Sequence, residues 1–564
     1  MLKEPLRHML VFLLLLLVQQ APAQESHQSA HADIAGFGGL GTGGPVNFGT
    51  GPAPAHEGQH SRACMSPEME TRILADIAAF QASHPYFAER VAQTYDFYPQ
   101  GGKWQRDISF GLFVDLDPTS GVQSFNCGTL SYDTHAGIDS GLRTFAEQAI
   151  GVPVFAALPG IVVARQDGFP DMNTTPGSDD GNYVVIDHGG GLNTWYLHMR
   201  NGSVVPGLGA PVIAGQQIGS TASSGYSFGP HLHFQTMLNN QPFEPFAGAC
   251  RPGPSMWENQ STFSYDTFIA DAAFSYIDLA TVPGNPHDVP RTGQLALSDD
   301  YHWIWTQIQN LPPNSTFRFR WIRPNGSLAY QSDTFPFNNP TFYDRSWYWF
   351  WWWIADMHTI TGTWRVQMDI NGVQETEMPV EVRSARTPGF NRPPTALQGV
   401  EFVPQPPPPG APVVCRVFTD LVVDDLDYDV VRYRYVWTIN DQVVRDVTSA
   451  AQSDMIRSGL TQLGDGLRCT VTPSDGFANG PASSQFALVG SAVCDSIDIN
   501  NDFSVFDPQD IDAFLSVYSE GPCVPETATC NDIDFNNDGS LFDPCDIDSF
   551  LVLYSEGPCT LCGV

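Results

Sequence analysis

"GPHLHF", residues 229–234, sets two histidines on either side of a leucine, in a run that otherwise has the composition of a buried strand. Residues two apart in an extended strand point to the same face. His231 and His233 therefore stand side by side, while Leu232 and Phe234 turn to the core. Two adjacent imidazoles lose solvation together and repel each other if both are charged. The pair is either structural, with each ring hydrogen-bonded, or it faces a metal or a negative group.

Neighbouring stretches supply the rest of such a set. Upstream, "THAGID" spaces His135 and Asp139 as H-x-x-x-D, and "NTWYLHM" places His198 at the end of a strand. Imidazole nitrogens with one carboxylate oxygen suit a zinc site whose fourth tetrahedral position stays open to water. Each motif alone is weak. Three of them in order, within one β-rich segment punctuated by glycine, make a much stronger pattern. His188, in "IDHGG", reads as structural.

Taken together, "THAGID", "VPVFAALPGIVVAR", "NYVVIDHGGGLNTWYLHM" and "AGQQIGSTASSGYSFGPHLHF" resemble the lysostaphin/LytM-type zinc endopeptidases. That family shows H-x-G-x-D, G-x-x-V-x-A, Y-x-H and GpHLHF in the same order. The likeness runs from His135 to near Cys250 and says nothing of the rest. It implies that His135, Asp139 and His233 bind Zn2+, and that His198 and His231 act as general base and as stabiliser of the tetrahedral intermediate. It also implies a peptide hydrolase whose foremost substrate is peptidoglycan, in its cross-links or stem peptides. Zinc would bring the pKa of a bound water to about 7. Two departures stand out: the loop "QDGFPDMNTTPGSDDG" exceeds a tight hairpin and is expected to wall the cleft, and "YLHM" replaces "YAHL".

At 564 residues the chain is too long for one core. The expected class is mainly β and multidomain: an antiparallel peptidase domain, two β-sandwiches and a small helical calcium-repeat module. Residues 1–23 read as a secretory signal: a basic start, a short apolar run and A-P-A at the end. Residues 24–60 are a Gly-rich linker, and 61–115 are expected to be a helical segment opened by Ser66 as N-cap. The peptidase domain follows at 116–255. Next come a sandwich at 256–388, with "DING" turning one hairpin, and an immunoglobulin- or PKD-like sandwich at 392–490. The expected product is secreted, extracellular or cell-surface associated, with no transmembrane anchor. A net charge of −35, from 26 basic and 61 acidic residues, excludes nucleic acid as a partner.

Residues 494–564 hold an internal repeat with a period of 36, from Cys494 to Cys530. The second copy offers Asp534, Asn536, Asp538 and Ser540 at alternate positions of a Ca2+ loop, with Asp546 closing it. The first offers Asp498, Asn500, Asp502 and Asp510. The repeats resemble dockerin modules, which implies calcium binding and a cohesin-like or cell-surface partner. "WYWFWWW", residues 347–353, has the alternation of a buried strand more than of a sugar-stacking platform. With eleven cysteines in an exported chain, disulfides are expected, Cys415 with Cys469 first and Cys127 with Cys250 as a clasp on the peptidase domain. Two rival functions remain at this point: a protease acting on Gly-rich extracellular proteins, and a non-catalytic surface-binding scaffold.

Overall fold

The computed structural model describes residues 49–50, 65–84, 94–172, 180–227, 229–279, 288–337, 342–490, 499, 508–518, 547 and 550. Alternating apolar runs between residues 109 and 243 become one antiparallel sheet of eight strands. Its order is Ser109–Leu112, Ile138–Gly141, His231–Leu238, Leu192–Met199, Asn182–Gly189, Gly160–Gln166 and Pro211–Val212, with Gln241–Phe243 pairing on His231–Leu238. Leu232, Phe234, Tyr196, Val184 and Ile186 bury one face. Trp195, Leu197, Val185 and Met237 line the other, where a helix covers them.

That helix, Pro67–Ser83, starts where the sequence places it, the Ser66 side chain accepting from the Met69 N–H at 3.1 Å. Met69, Ile73, Ile77 and Phe80 form its buried stripe. Each such side chain removed from water contributes about 1.5–3 kcal/mol. The helical expectation for 61–115 does not extend further among the described residues: Ser109–Leu112 is an edge strand of the main sheet. Its "SFGL" pairs with Ile138–Gly141, and such tertiary pairing overrides local propensity.

A disulfide, Cys127–Cys250, closes the domain across 123 residues of chain. Its removal by Cys127→Ser with Cys250→Ser is expected to cost about 2–5 kcal/mol, read as a lower denaturant midpoint with an unchanged fold by circular dichroism.

Downstream, Phe268–Ser275, His302–Leu311 and Tyr343–Trp352 form one sheet. A second sheet runs Gln294–Ala296, Val373–Arg383, Gly362–Ile370, Thr316–Ile322 and Leu328–Gln331. The "DING" hairpin turns at Asn371 and Gly372, both with positive φ, as a two-residue I′ turn requires. Tyr348, Phe350 and Trp352 fill the core between the sheets. Trp347 and Trp351 pack on Trp303 and Trp305 on the opposite face, so most of the tryptophan run is buried.

Beyond it, Gly399–Val403, Val413–Phe418 and Ser453–Ile456 face Gln442–Ser449, Arg432–Ile439, Gly466–Ser474 and Ser483–Leu488. Trp437 stacks on Phe402 at 5.6 Å and donates to Asp454. The expected Cys415–Cys469 bond does not form: both are buried free thiols in that core. Apolar packing around Trp437 joins the two sheets without a covalent link. In the C-terminal repeat, Pro508–Tyr518 is helical. Phe514 stacks on Phe550, its counterpart in the second copy, at 4.1 Å. Asp510 is buried in that helix. The other calcium-loop residues (Asp498, Asn500, Asp502, Asp534, Asn536, Asp538, Ser540 and Asp546) lie outside the described residues, as do Cys494 and Cys530. Among the described residues no helix is long and apolar enough to cross a membrane.

Candidate metal centre

Register brings the motifs together. His233 pairs with Asp139 and His231 with Gly141 across the Ile138–Gly141 strand. Cross-strand partners share a face, so Asp139, His231 and His233 project side by side. His135, four residues before Asp139, completes the group from the turn. Gly137 between them has no room for a side chain, since a Cβ there would stand 2.6 Å from His233 Nε2. The "HAGID" glycine is thus a packing requirement of the histidine opposite.

Hydrogen bonds fix which nitrogen of each ring faces inward. His135 Nδ1 donates to the Phe113 carbonyl at 2.7 Å, leaving the Nε2 lone pair. His233 Nε2 donates to Gln235 Oε1 at 3.2 Å, leaving Nδ1. These two nitrogens lie 3.3 Å apart, and Asp139 Oδ1 stands 2.9 Å from His233 Nδ1 and 3.4 Å from His135 Nε2. Two lone pairs and a carboxylate oxygen converging in a buried place repel one another unless a cation sits between them. Tetrahedral zinc with bonds of about 2.0–2.1 Å sets ligand atoms about 3.3 Å apart. The donor set therefore fits zinc, and among the described residues it is the cluster of three able to hold a metal.

His198 reaches the same face by a different device. Leu197, one residue earlier, pairs with His233 and shares its face, so strict alternation would send His198 to the opposite side. Its backbone instead takes a left-handed φ of 59°. The ring comes to 4.4 Å from that of His231. Such a conformation costs on the order of 1–3 kcal/mol and persists only when its surroundings enforce it. Its Nδ1 donates to the Ser224 carbonyl at 2.7 Å, which leaves a buried Nε2 without a protein partner. His231 Nδ1 donates to the Gly229 carbonyl, and its Nε2 lies 3.8 Å from Asp139 Oδ1.

Electrostatics separate these groups. Burial, with His231 close by, holds His198 well below the ordinary histidine value. Burial lowers His231 as well. Burial opposes charge on His135 too, yet the Asp139 carboxylate outweighs it and raises that ring. Asp139 itself, although burial alone would raise it, is held well below the usual carboxylate range by His135 and His231. His188 stays apart, with both ring nitrogens engaged by the Pro159 carbonyl and Thr194 Oγ1.

Residues 134–245 match the model of peptidase family M23. The chain carries an M23 peptidase domain. Relatives include the DD-carboxypeptidase/endopeptidase Mpg of Neisseria meningitidis, 33% identical over 125 residues, 22% of this chain and 26% of that protein. The peptidoglycan DD-endopeptidase ShyA of Vibrio cholerae is 29% identical over 154 residues, 27% of this chain and 30% of that protein. This chain thus spans less than a third of either relative. A solved structure of the catalytic domain of lysostaphin from Staphylococcus simulans is 26% identical, covering 25% of this chain and 89% of that one, with a TM-score of 0.17.

Around the M23 site, three positions escape sequence reasoning. Gln235 orients His233, and its own amide is fixed by donation to Met237 Sδ. The Phe113 and Ser224 carbonyls do the same for His135 and His198. Only Gln235 left a trace, as a polar residue in step with His231 and His233. Gln235→Ala is expected to weaken zinc affinity by about 10–100-fold, measured by competition with a chelating dye. Gly137→Ala, which forces the His233 ring aside, is expected to weaken it at least as much in the same assay.

Proposed function

We propose that this protein is a secreted zinc metalloendopeptidase that hydrolyses peptide bonds of peptidoglycan. The single observation behind this is the spacing of His135 Nε2, His233 Nδ1 and Asp139 Oδ1 at 2.9–3.4 Å, with their lone pairs turned to one point. His135, Asp139 and His233 would hold the ion, which when bound supplies Lewis acidity to the scissile amide. His198, kept neutral by its burial, takes a proton at Nε2 from the attacking water. With rings 4.4 Å apart, His198 and His231 share one positive charge at most. The pair can therefore receive a proton and hand it to the leaving amine, while the charged ring meets negative charge on the substrate oxygen. The name of ShyA, a peptidoglycan DD-endopeptidase, supports the substrate class.

Zymography on gels carrying cell walls or casein tests this. Clearing of the cell-wall gel alone is expected, abolished by chelator and restored by zinc. Clearing of casein alone, or clearing that survives complete removal of metal, would sink the proposal.

A further inference from the structure

One corner of the metal face is filled from another domain. Gly141 pairs with His231 and shares the face of Asp139. A Cβ on Gly141 would meet Arg345 Nη1 at 2.5 Å and its Cζ at 3.1 Å. The guanidinium of Arg345 therefore lies where the side chain of residue 141 would be, beside His231. Arg345 belongs to the Tyr343–Trp352 strand of the downstream sandwich. Its Nη1 donates to the Leu142 carbonyl at 3.1 Å and to Ser109 Oγ at 3.4 Å, and its carbon lies 5.0 Å from the Trp347 ring centre.

Its partners are conspicuous by chemistry. Among the described residues Arg345 makes no ion pair, and Nε and Nη2 donate to no protein atom. Asp344 and Asp139 are the carboxylates that bear on its charge, and burial works against that charge. A desolvated guanidinium whose Nε and Nη2 find no protein acceptor is unfavourable alone and well matched to a carboxylate, which it binds bidentately. The chain as a whole carries a net charge of −35, so a local cation favours the approach of an anionic substrate to this face.

We propose that Arg345 receives a carboxylate of the peptide substrate next to the scissile bond, making the sandwich domain part of the specificity site. This rests on the hydrolase reading of the same face. An incoming carboxylate on the Nε–Nη2 edge would be held over Gly141, the cross-strand partner of His231, fixing which peptide bond reaches the metal. Arg345 is a recognition residue, not a proton carrier.

Binding is measured by calorimetry on the full-length, zinc-loaded His198→Ala protein, which keeps the peptide intact. The probes are purified muropeptides with free carboxylates, with the terminal carboxylate amidated, and with the side-chain carboxylate amidated. One of the two amidations is expected to raise Kd about tenfold or more, equivalent to about 1.4 kcal/mol, and so to identify the group held. Adding Arg345→Gln should erase that difference, and Arg345→Lys should keep part of it. Ser109→Ala, which leaves the guanidinium in place, should keep all of it. Equal affinity for all three probes, no binding of any, or discrimination that survives Arg345→Gln would overturn the proposal. Should Arg345→Gln fail to fold, discrimination reduced but not abolished in Arg345→Lys at an unchanged melting temperature carries the test, and full discrimination there overturns it. A lack of hydrolysis by the His198-intact protein would sink the peptidase reading instead, and the binding comparison distinguishes the two failures.

Discussion

His233→Ala and Asp139→Ala proteins are expected to purify without stoichiometric zinc and to lose hydrolysis by far more than the about 100-fold that loss of an outer partner costs. Each removes one of three donors that meet within 2.9–3.4 Å. Removing His233 leaves the Asp139 carboxylate and the His135 lone pair opposed in a buried site, with no third ligand to make binding worth the desolvation of the ion. Removing Asp139 takes away the one anionic ligand, so a divalent charge is met by neutral nitrogens alone. A second readout is stability. Zinc at about 1,000 times its Kd stabilises a folded state by about 4 kcal/mol, so wild-type protein should melt higher with zinc than without, and neither variant should respond. Elemental analysis checks the first expectation and calorimetry the second. Stoichiometric zinc in His233→Ala, or a zinc-dependent melting shift in both variants, would remove the metal centre from its assigned place.

Much of this site was legible in the sequence because strand periodicity is local. H-x-H at residues 231 and 233 fixes a shared face with no knowledge of the fold, and antiparallel pairing then brings Asp139 opposite His233. His198 is different. Alternation alone turns it away from the metal, and only its left-handed backbone returns it; the resemblance to known motifs supplied what periodicity could not. Arg345 was invisible because it arrives from a strand more than 100 residues downstream of His231, over a glycine whose value lies in having no side chain. The same limit explains the cysteines. Cys415, Trp437 and Cys469 have a spacing shared with bonded sandwiches, yet whether two facing thiols are joined is not a property of spacing. The helical expectation for 61–115 failed at Ser109–Leu112 because an edge strand borrows its hydrogen bonds from Ile138–Gly141, a partner that no local window contains.

His198→Ala and His231→Ala should behave unlike the ligand variants: zinc retained, hydrolysis reduced by about 100- to 10,000-fold. Since the two rings share one charge, they act as a unit, and the double variant should be little worse than either single one. The pH profile follows from the direction of the shifts. In the proposed role the base works only when neutral, so the rate is expected to rise with pH through the apparent pKa of the pair. Burial lowers both rings from the ordinary histidine value of about 6.5, and a bound cation pushes the same way. The acid limb of kcat/KM must then lie below pH 6.5, with activity persisting in mildly acid conditions where an exposed histidine would already be charged. The guanidinium of Arg345 adds to this by opposing charge on His231, so Arg345→Gln should move the limb upward, towards the ordinary value. A limb above pH 6.5 in the wild type, or loss of zinc from His198→Ala, would show that these two imidazoles do not form the proton-carrying pair.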